Sequence, residues 1–191
     1  GGSSRAPTRH EDPLAVLAIV DPPSVEDELQ TLVDRHCEEG AGDATDILNA
    51  IFVVHDTAPE IALTAVRRLD ARLNHYGRRL ELAETFLKRV EDGPYDLAGA
   101  GLGLLVTALE YTRYKFRERV PPVIRRAAEA EPSAVADHTR ALADYIDDDN
   151  EDVREAVHYA LVTAAEDNPP AVQDLAVSAG ETIADQPDGD E

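Results

Sequence analysis

Five prolines recur at nearly equal intervals, and this spacing constrains the fold more than any other feature of the sequence. Pro23, Pro59, Pro94, Pro132 and Pro169 lie 36, 35, 38 and 37 residues apart, and each opens an apolar run with helical periodicity. Proline is tolerated in the first turn of a helix, where its missing N–H would have had no intrahelical partner, so the five mark helix starts. Second helices are predicted between them, over Asp43 to His55, Arg78 to Glu91, Pro121 to Ala130 and Asn150 to Glu166. Gly40, Gly42, Gly77, Gly93 and the Asp167-Asn168-Pro169 turn separate neighbours at the lengths expected of helix hairpins. No stretch alternates apolar and polar residues with period two, so no sheet is expected.

One hairpin of this size cannot bury its apolar face, whereas stacked hairpins share a continuous core. The expected fold is therefore all-α: an α-solenoid of about nine antiparallel helices in four to five hairpin repeats, with a period of about 37. An irregular helical bundle is the alternative that short connections also allow. The repeat domain is placed at residues 22–185, between a flexible N-terminal segment, 1–21, and an acidic disordered tail, 186–191. Gly1-Gly2-Ser3-Ser4 has the composition of an expression-tag scar, and Pro13 to Val20 is a short apolar stretch able to cap the first helix. Thr57 followed by Glu60 has the spacing of a capping box.

The clearest single unit is the acidic turn Asp147 to Asp152, followed by Val153-Arg154. Behind it, Val153, Ala156, Val157, Ala160, Leu161 and Ala164 fall on one side of a helix. This unit, together with the period, resembles HEAT-type repeats of the α-solenoid class. Ile124-Arg125 resembles a weaker copy, and the helices from Asp43 and Arg78 lack the Val-Arg pair. The resemblance implies that the even-numbered helices line a concave, partner-facing side. It also implies a scaffold or adaptor, or, as in a minority of such proteins, a nucleic-acid binder. In such an array Arg154 is expected to bond the turn carboxylates Asp147 to Asp149.

Leu97 to Leu105 departs from the pattern. It is apolar nearly all round and carries Gly99, Gly101 and Gly103, a composition that predicts a buried helix approached closely by its neighbours. A dinucleotide fingerprint is excluded, because no strand precedes the segment and Leu104 stands where a third glycine is needed.

Charge is the second strong signal. Against 39 acidic residues stand 18 basic ones, for a net charge of −21, and only Lys88 and Lys115 are lysines. Dense carboxylates keep a chain hydrated in concentrated salt, where their mutual repulsion is screened. The balance resembles that of cytoplasmic proteins of salt-accumulating halophiles, with a halophilic archaeon the expected source; an acidic mesophilic protein is the alternative. Cys37 is the only cysteine, so no intramolecular disulfide can form. No secretory signal is evident, and no apolar run reaches the length that spans a membrane.

The charge is unevenly placed. Residues 60–126 hold thirteen basic and nine acidic residues, while the remainder holds five and thirty. Tyr111, Arg113, Tyr114, Lys115, Phe116, Arg117, Arg119, Arg125 and Arg126 form an Arg/Tyr-rich segment, extended by Arg78 and Arg79 on the same even-helix side. Guanidinium groups with aromatics anchor acidic protein segments. They also grip phosphates and stack bases, although strong salt penalises that mode. A third reading pairs the arginines internally with the acid-rich ends. The expectation is a non-catalytic interaction scaffold that binds a protein partner through this face, with nucleic acid the alternative partner.

Other chemistry finds little support in the residues. Counted from Asp147, the positions where a calcium loop needs glycine and glutamate are Asp152 and His158. His36, His55 and His75 are expected near helix C-termini, where a cation complements the dipole, and alternating helix direction separates them as metal ligands. His138 falls on an apolar stripe and reads as a hydrogen-bonded core residue. Ser24 and Ser133 precede helices as caps, and no nucleophile elbow, phosphate loop or zinc-protease helix is present. No enzyme activity, cofactor or metal is expected.

Overall fold

The structure, a computed structural model, describes residues 12–40, 42–110 and 114–173. These form helices and no strand: α1 (Pro13–Val20), α2 (Pro22–Glu39), α3 (Ala44–His55), α4 (Pro59–Arg72), α5 (Tyr76–Val90), α6 (Tyr95–Ala100), α7 (Leu102–Leu109), α8 (Tyr114–Arg117), α9 (Val120–Ala130), α10 (Pro132–Ala136), α11 (Thr139–Ala143) and α12 (Glu151–Asp167). Residues 170–173 are helical as well. The acidic tail 186–191 and residues 174–185 of the expected repeat domain lie outside the described residues, as do residues 1–11.

The helix starts follow the prolines. Pro22 and Pro23 open α2, Pro59 opens α4 and Pro132 opens α10, while Pro94 sits one residue before α6. Side-chain caps begin several others. Asp12, Asp43 and Asn150 accept backbone N–H bonds from Leu14, Thr45 and Val153, at 2.9, 3.1 and 3.2 Å. The expected capping box at Thr57 does not form. The N-cap of α4 is Ala58, and the Thr57 hydroxyl instead donates to the Ala15 carbonyl at 2.8 Å, fastening α1 to the α3–α4 turn.

Twelve helices, apart from residues 170–173, stand among the described residues where about nine were expected. The ninth expected helix, from Pro169, is described only as far as residue 173; for the other eight, two short helices, α1 and α8, were not counted and two helices read as continuous are broken. The first break is at Gly101, whose Cα is pressed against the core. A Cβ there would lie 2.4 Å from Phe86 Cζ and 3.0 Å from Val66 Cγ1. The second is at His138, where the hydrogen bond tightens to a shorter ring, His138 N–H to the Val135 carbonyl at 2.9 Å.

Packing is orderly. On one side α2 packs on α4, α4 on α6 and α6 on α10; on the other, α3 packs on α5, α5 on α9 and α9 on α12. Contacts of α3 with α4, α5 with α7, α6 with α9 and α10 with α12 join the two sides. One connected cluster of buried side chains runs from Ala18 to Ala164, with Phe86 its largest fully buried member. Gly101→Ala overfills this core where neither Phe86 nor Val66 has room to retreat. Overpacking of this kind costs about 1–3 kcal/mol, more than alanine's helix preference of about 1 kcal/mol returns. A lower midpoint in urea denaturation at unchanged slope is the expected result, and a raised midpoint would sink the close-approach argument.

Candidate docking surface

The basic residues singled out in the sequence separate into two groups. Arg78 reaches back to the C-terminal end of α2 and donates to the His36 and Cys37 carbonyls at 2.7 and 3.2 Å, which places a cation where the helix exposes acceptors. Arg79 is bound on every side. It donates to the Thr107 hydroxyl at 2.9 Å, to the Asp70 and Leu73 carbonyls at 2.6 and 3.1 Å, and to the Asp70 carboxylate at 2.6 Å. Arg117 donates to the Leu109 carbonyl at 2.7 Å and forms a two-pronged ion pair with Asp148. Arg119 makes a second forked pair with Glu91, at 2.9 and 2.5 Å, and this bond raises its already high pKa further. These four arginines bind within the fold.

The others face outward. Lys115 is exposed. Arg126 is exposed, lies over the Tyr95 ring at 6.0 Å and approaches Glu129 at 3.6 Å, a surface pair of little energetic consequence. Arg125 is exposed and stacks on the ring of Tyr159 at 4.9 Å. Tyr111 and Arg113 lie outside the described residues, and of Tyr114 only the backbone, at the start of α8, is described.

Arg125 borders an open groove of about 560 Å³ between α9 and α12, lined also by Ile146, Arg154, Glu155, His158, Tyr159 and Val162. Ile146 and Val162 are 44% and 42% exposed. Tyr159 is held in place by its hydroxyl, which donates to Glu129 at 3.1 Å; that bond, first among the causes, raises the phenol's pKa. The groove therefore offers two aliphatic contacts, an aromatic wall and a guanidinium already stacked on it, the composition in which interface anchors concentrate.

The acidic turn, Asp147 to Asp152, lies in the chain between two of the lining residues, Ile146 and Arg154. Asp148 accepts the Asn150 N–H at 2.9 Å as well as the Arg117 pair. Arg154 was expected to bond the turn carboxylates; it donates instead to the Asp148 carbonyl at 2.6 Å, because Arg117 from α8 already occupies that carboxylate. The Arg117 hydrogen bond holds the Asp148 carboxyl below its ordinary value of 3.8, against the opposing push of burial. A carboxylate with a depressed folded-state pKa contributes its full stabilisation above the unfolded value and loses it as pH falls through the lower folded value. Asp148→Asn is therefore expected to melt lower than the parent near neutral pH and to show a shallower loss of stability below about pH 4. Thermal melts of both proteins across that range check this; parallel curves would show that the pair contributes nothing to acid sensitivity.

Three of the groove residues were not singled out from the sequence. Ile146 and Val162 stand off the apolar stripe of α12, one in an acidic turn and one between buried positions, and an aliphatic residue on a polar face is the signal that could have found them. Tyr159 becomes notable only through its partner Arg125, 34 residues away.

Elsewhere, His55 lies at the end of α3 as expected and bonds Asp96 at 2.8 Å. His75 is not at a helix C-terminus; it caps α5, its Nδ1 accepting the Arg78 N–H at 3.3 Å. His138 is half-buried, 3.7 Å from the Asp70 carboxylate. A second cavity of about 480 Å³, lined by Asp70, Arg79, Gly103, Thr107 and His138 among others, surrounds this buried carboxylate. Asp70 and Arg79 there are already bonded to one another and to helix termini, as a structural node would be. No helix among the described residues is long and apolar enough to cross a membrane. No family model, curated protein or solved structure matches the chain.

Proposed function

We propose that the chain is a non-catalytic binding scaffold of the halophile cytoplasm, a HEAT-type α-solenoid that takes a protein partner in the groove between α9 and α12. The stacking of α2, α4, α6 and α10 on one side, and of α3, α5, α9 and α12 on the other, supports the solenoid reading. One observation carries the functional one: the open groove in which Arg125 lies on Tyr159 between exposed Ile146 and Val162. Among the described residues, the outward-facing part of the Arg/Tyr segment is Lys115, Arg125 and Arg126, since Arg78, Arg79, Arg117 and Arg119 are occupied inside the fold.

The test is a pull-down in concentrated KCl from lysate of the source organism, after nuclease treatment, comparing the wild type with an Arg125→Glu/Val162→Glu variant. A defined protein recovered by the wild type and lost from the variant is expected. Retention of every partner by the variant would overturn the groove as the docking surface. Recovery that vanishes with nuclease would point to nucleic acid instead.

A further inference from the structure

We propose that the groove between α9 and α12 takes helix α1 of a second copy of this chain, in a head-to-tail contact. The inference rests on the reading of that groove as a protein-docking surface and names its occupant. Among the described residues, α1 is the helix with the most exposed aliphatic side chains. Only Ala15 and Ala18 are buried, while Val16, Leu17, Ile19 and Val20 are 45%, 37%, 66% and 76% exposed. It holds no polar side chain from Pro13 to Val20, packs on α2 and α3, and is fixed there by the Thr57 bond to Ala15. Outer faces of stacked helical arrays are ordinarily polar, so an aliphatic one calls for a cover.

The groove matches this helix in length, chemistry and charge. Eight helical residues rise about 12 Å, the same as the span along α12 from Arg154 to Val162. The exposed face of α1 formed by Val16, Ile19 and Val20 lies against the aliphatic contacts Ile146 and Val162. The C-terminal end of α1 carries the negative pole of the helix and, next in sequence, the exposed carboxylate of Asp21. Arg125, exposed and stacked on Tyr159, supplies the cation for that end. Within one chain the two surfaces belong to opposite ends of the packing order, α1 on α2 and α3, the groove on α9 and α12. The contact is thus between copies and heterologous, and it passes from copy to copy, open-ended unless its rotation closes a ring. Each copy carries a charge of −21, so association requires salt that screens the repulsion between them.

Purified protein alone decides this, by sedimentation velocity in about 2 M KCl, where the screening length falls below roughly 3 Å. The contact is small by the standard of stable interfaces, so the weight-average mass should rise at least twofold only between about 5 and 500 µM. Ile19→Glu, with a dead helix and an intact groove, and Val162→Glu, with the reverse, should each stay monomeric. Both positions are exposed, and mixing the variants controls for folding: an equimolar mixture should form a dimer and nothing larger, from the one helix and one groove left intact. A wild type that stays monomeric throughout, a mixture that does not pair, or a Val162→Glu protein that self-associates through α1 alone would each overturn the proposal. Because no other protein is present, such a failure is distinct from failure of the groove to hold a foreign partner, which the pull-down reads.

Discussion

Asp70→Ala is expected to lower the unfolding free energy by about 3–5 kcal/mol, the usual loss when one partner of a buried ion pair is removed. Asp70 lies in α4, and its side chain is 4% exposed. One carboxylate oxygen accepts from Arg79 at 2.6 Å, and the other accepts the Gly103 N–H at 3.0 Å, in the first turn of α7. The carboxylate thereby caps a helix to which it does not belong, at the point where the break at Gly101 has freed the N–H groups. Gly103 permits the approach, since a Cβ there would lie 2.5 Å from the same carboxylate. Alanine at 70 leaves the half-buried Arg79 cation among neutral oxygens and strands the Gly103 N–H in the core.

For a chain of this size the loss corresponds to a melting temperature lower by roughly 6–20 °C. Two comparisons make the result specific. Asp34 pairs with Arg68 and Arg72 on the surface, where solvent screens the pairs, and Asp34→Ala should cost far less than Asp70→Ala. An Asp70→Leu/Arg79→Leu protein removes both charges and should recover part of the loss, because the penalty belongs to the unpaired charge and not to the missing bond. A single variant within about 1 kcal/mol of the parent, or a double variant no better than the single, would show that Asp70 is not the node described.

That node also marks where sequence reasoning stops. The helix starts were legible because proline has one conformational preference and declares it locally. The burial of Leu97 to Leu105 was legible because no polar residue interrupts it, and its glycines announced the close approach that Phe86 and Asp70 make. The break at Gly101 was not, since the same glycines suit a continuous buried helix as well as an interrupted one. Arg79 and Arg125 look alike in the sequence, each following a neighbouring basic residue or preceding one on the second helix of an expected hairpin. Only tertiary placement separates them: Arg79 meets Asp70, Leu73 and Thr107, while Arg125 meets one aromatic face and the solvent. The arithmetic of charge, thirteen basic residues in the centre against thirty acidic ones outside it, allowed both internal pairing and an open face. The fold uses both. Arg117 takes the acidic turn through Asp148, and Arg125 remains on the surface.

The same charge distribution governs the response to salt, and here two electrostatic effects compete. Salt weakens exposed attractive pairs such as Arg72 with Glu38 and Lys88 with Glu84, which lowers stability. It also screens repulsion among carboxylates, which raises it. The second effect is the larger in this chain. Exposed pairs contribute about 0–1 kcal/mol each, and the stronger ones, Asp70 with Arg79 and Asp148 with Arg117, are shielded by burial from the screening ions. Repulsion, by contrast, is summed over a net charge of −21 and is concentrated at the surface, as in Asp147, Asp149, Glu151 and Asp152 around a single turn. Raising KCl from about 0.1 to 2 M shortens the screening length from roughly 10 Å to less than 3 Å, so that only contact pairs still interact. The melting temperature is expected to climb by about 10 °C or more over that range, a few kcal/mol for a chain of this length. Equal steps with sodium sulfate should shift it further, because sulfate adds exclusion from apolar surface to the same screening. A melting temperature that is flat or falling in KCl would mean that the internal arginine pairs outweigh the carboxylate repulsion, and the acid excess would then lose its reading as an adaptation to salt.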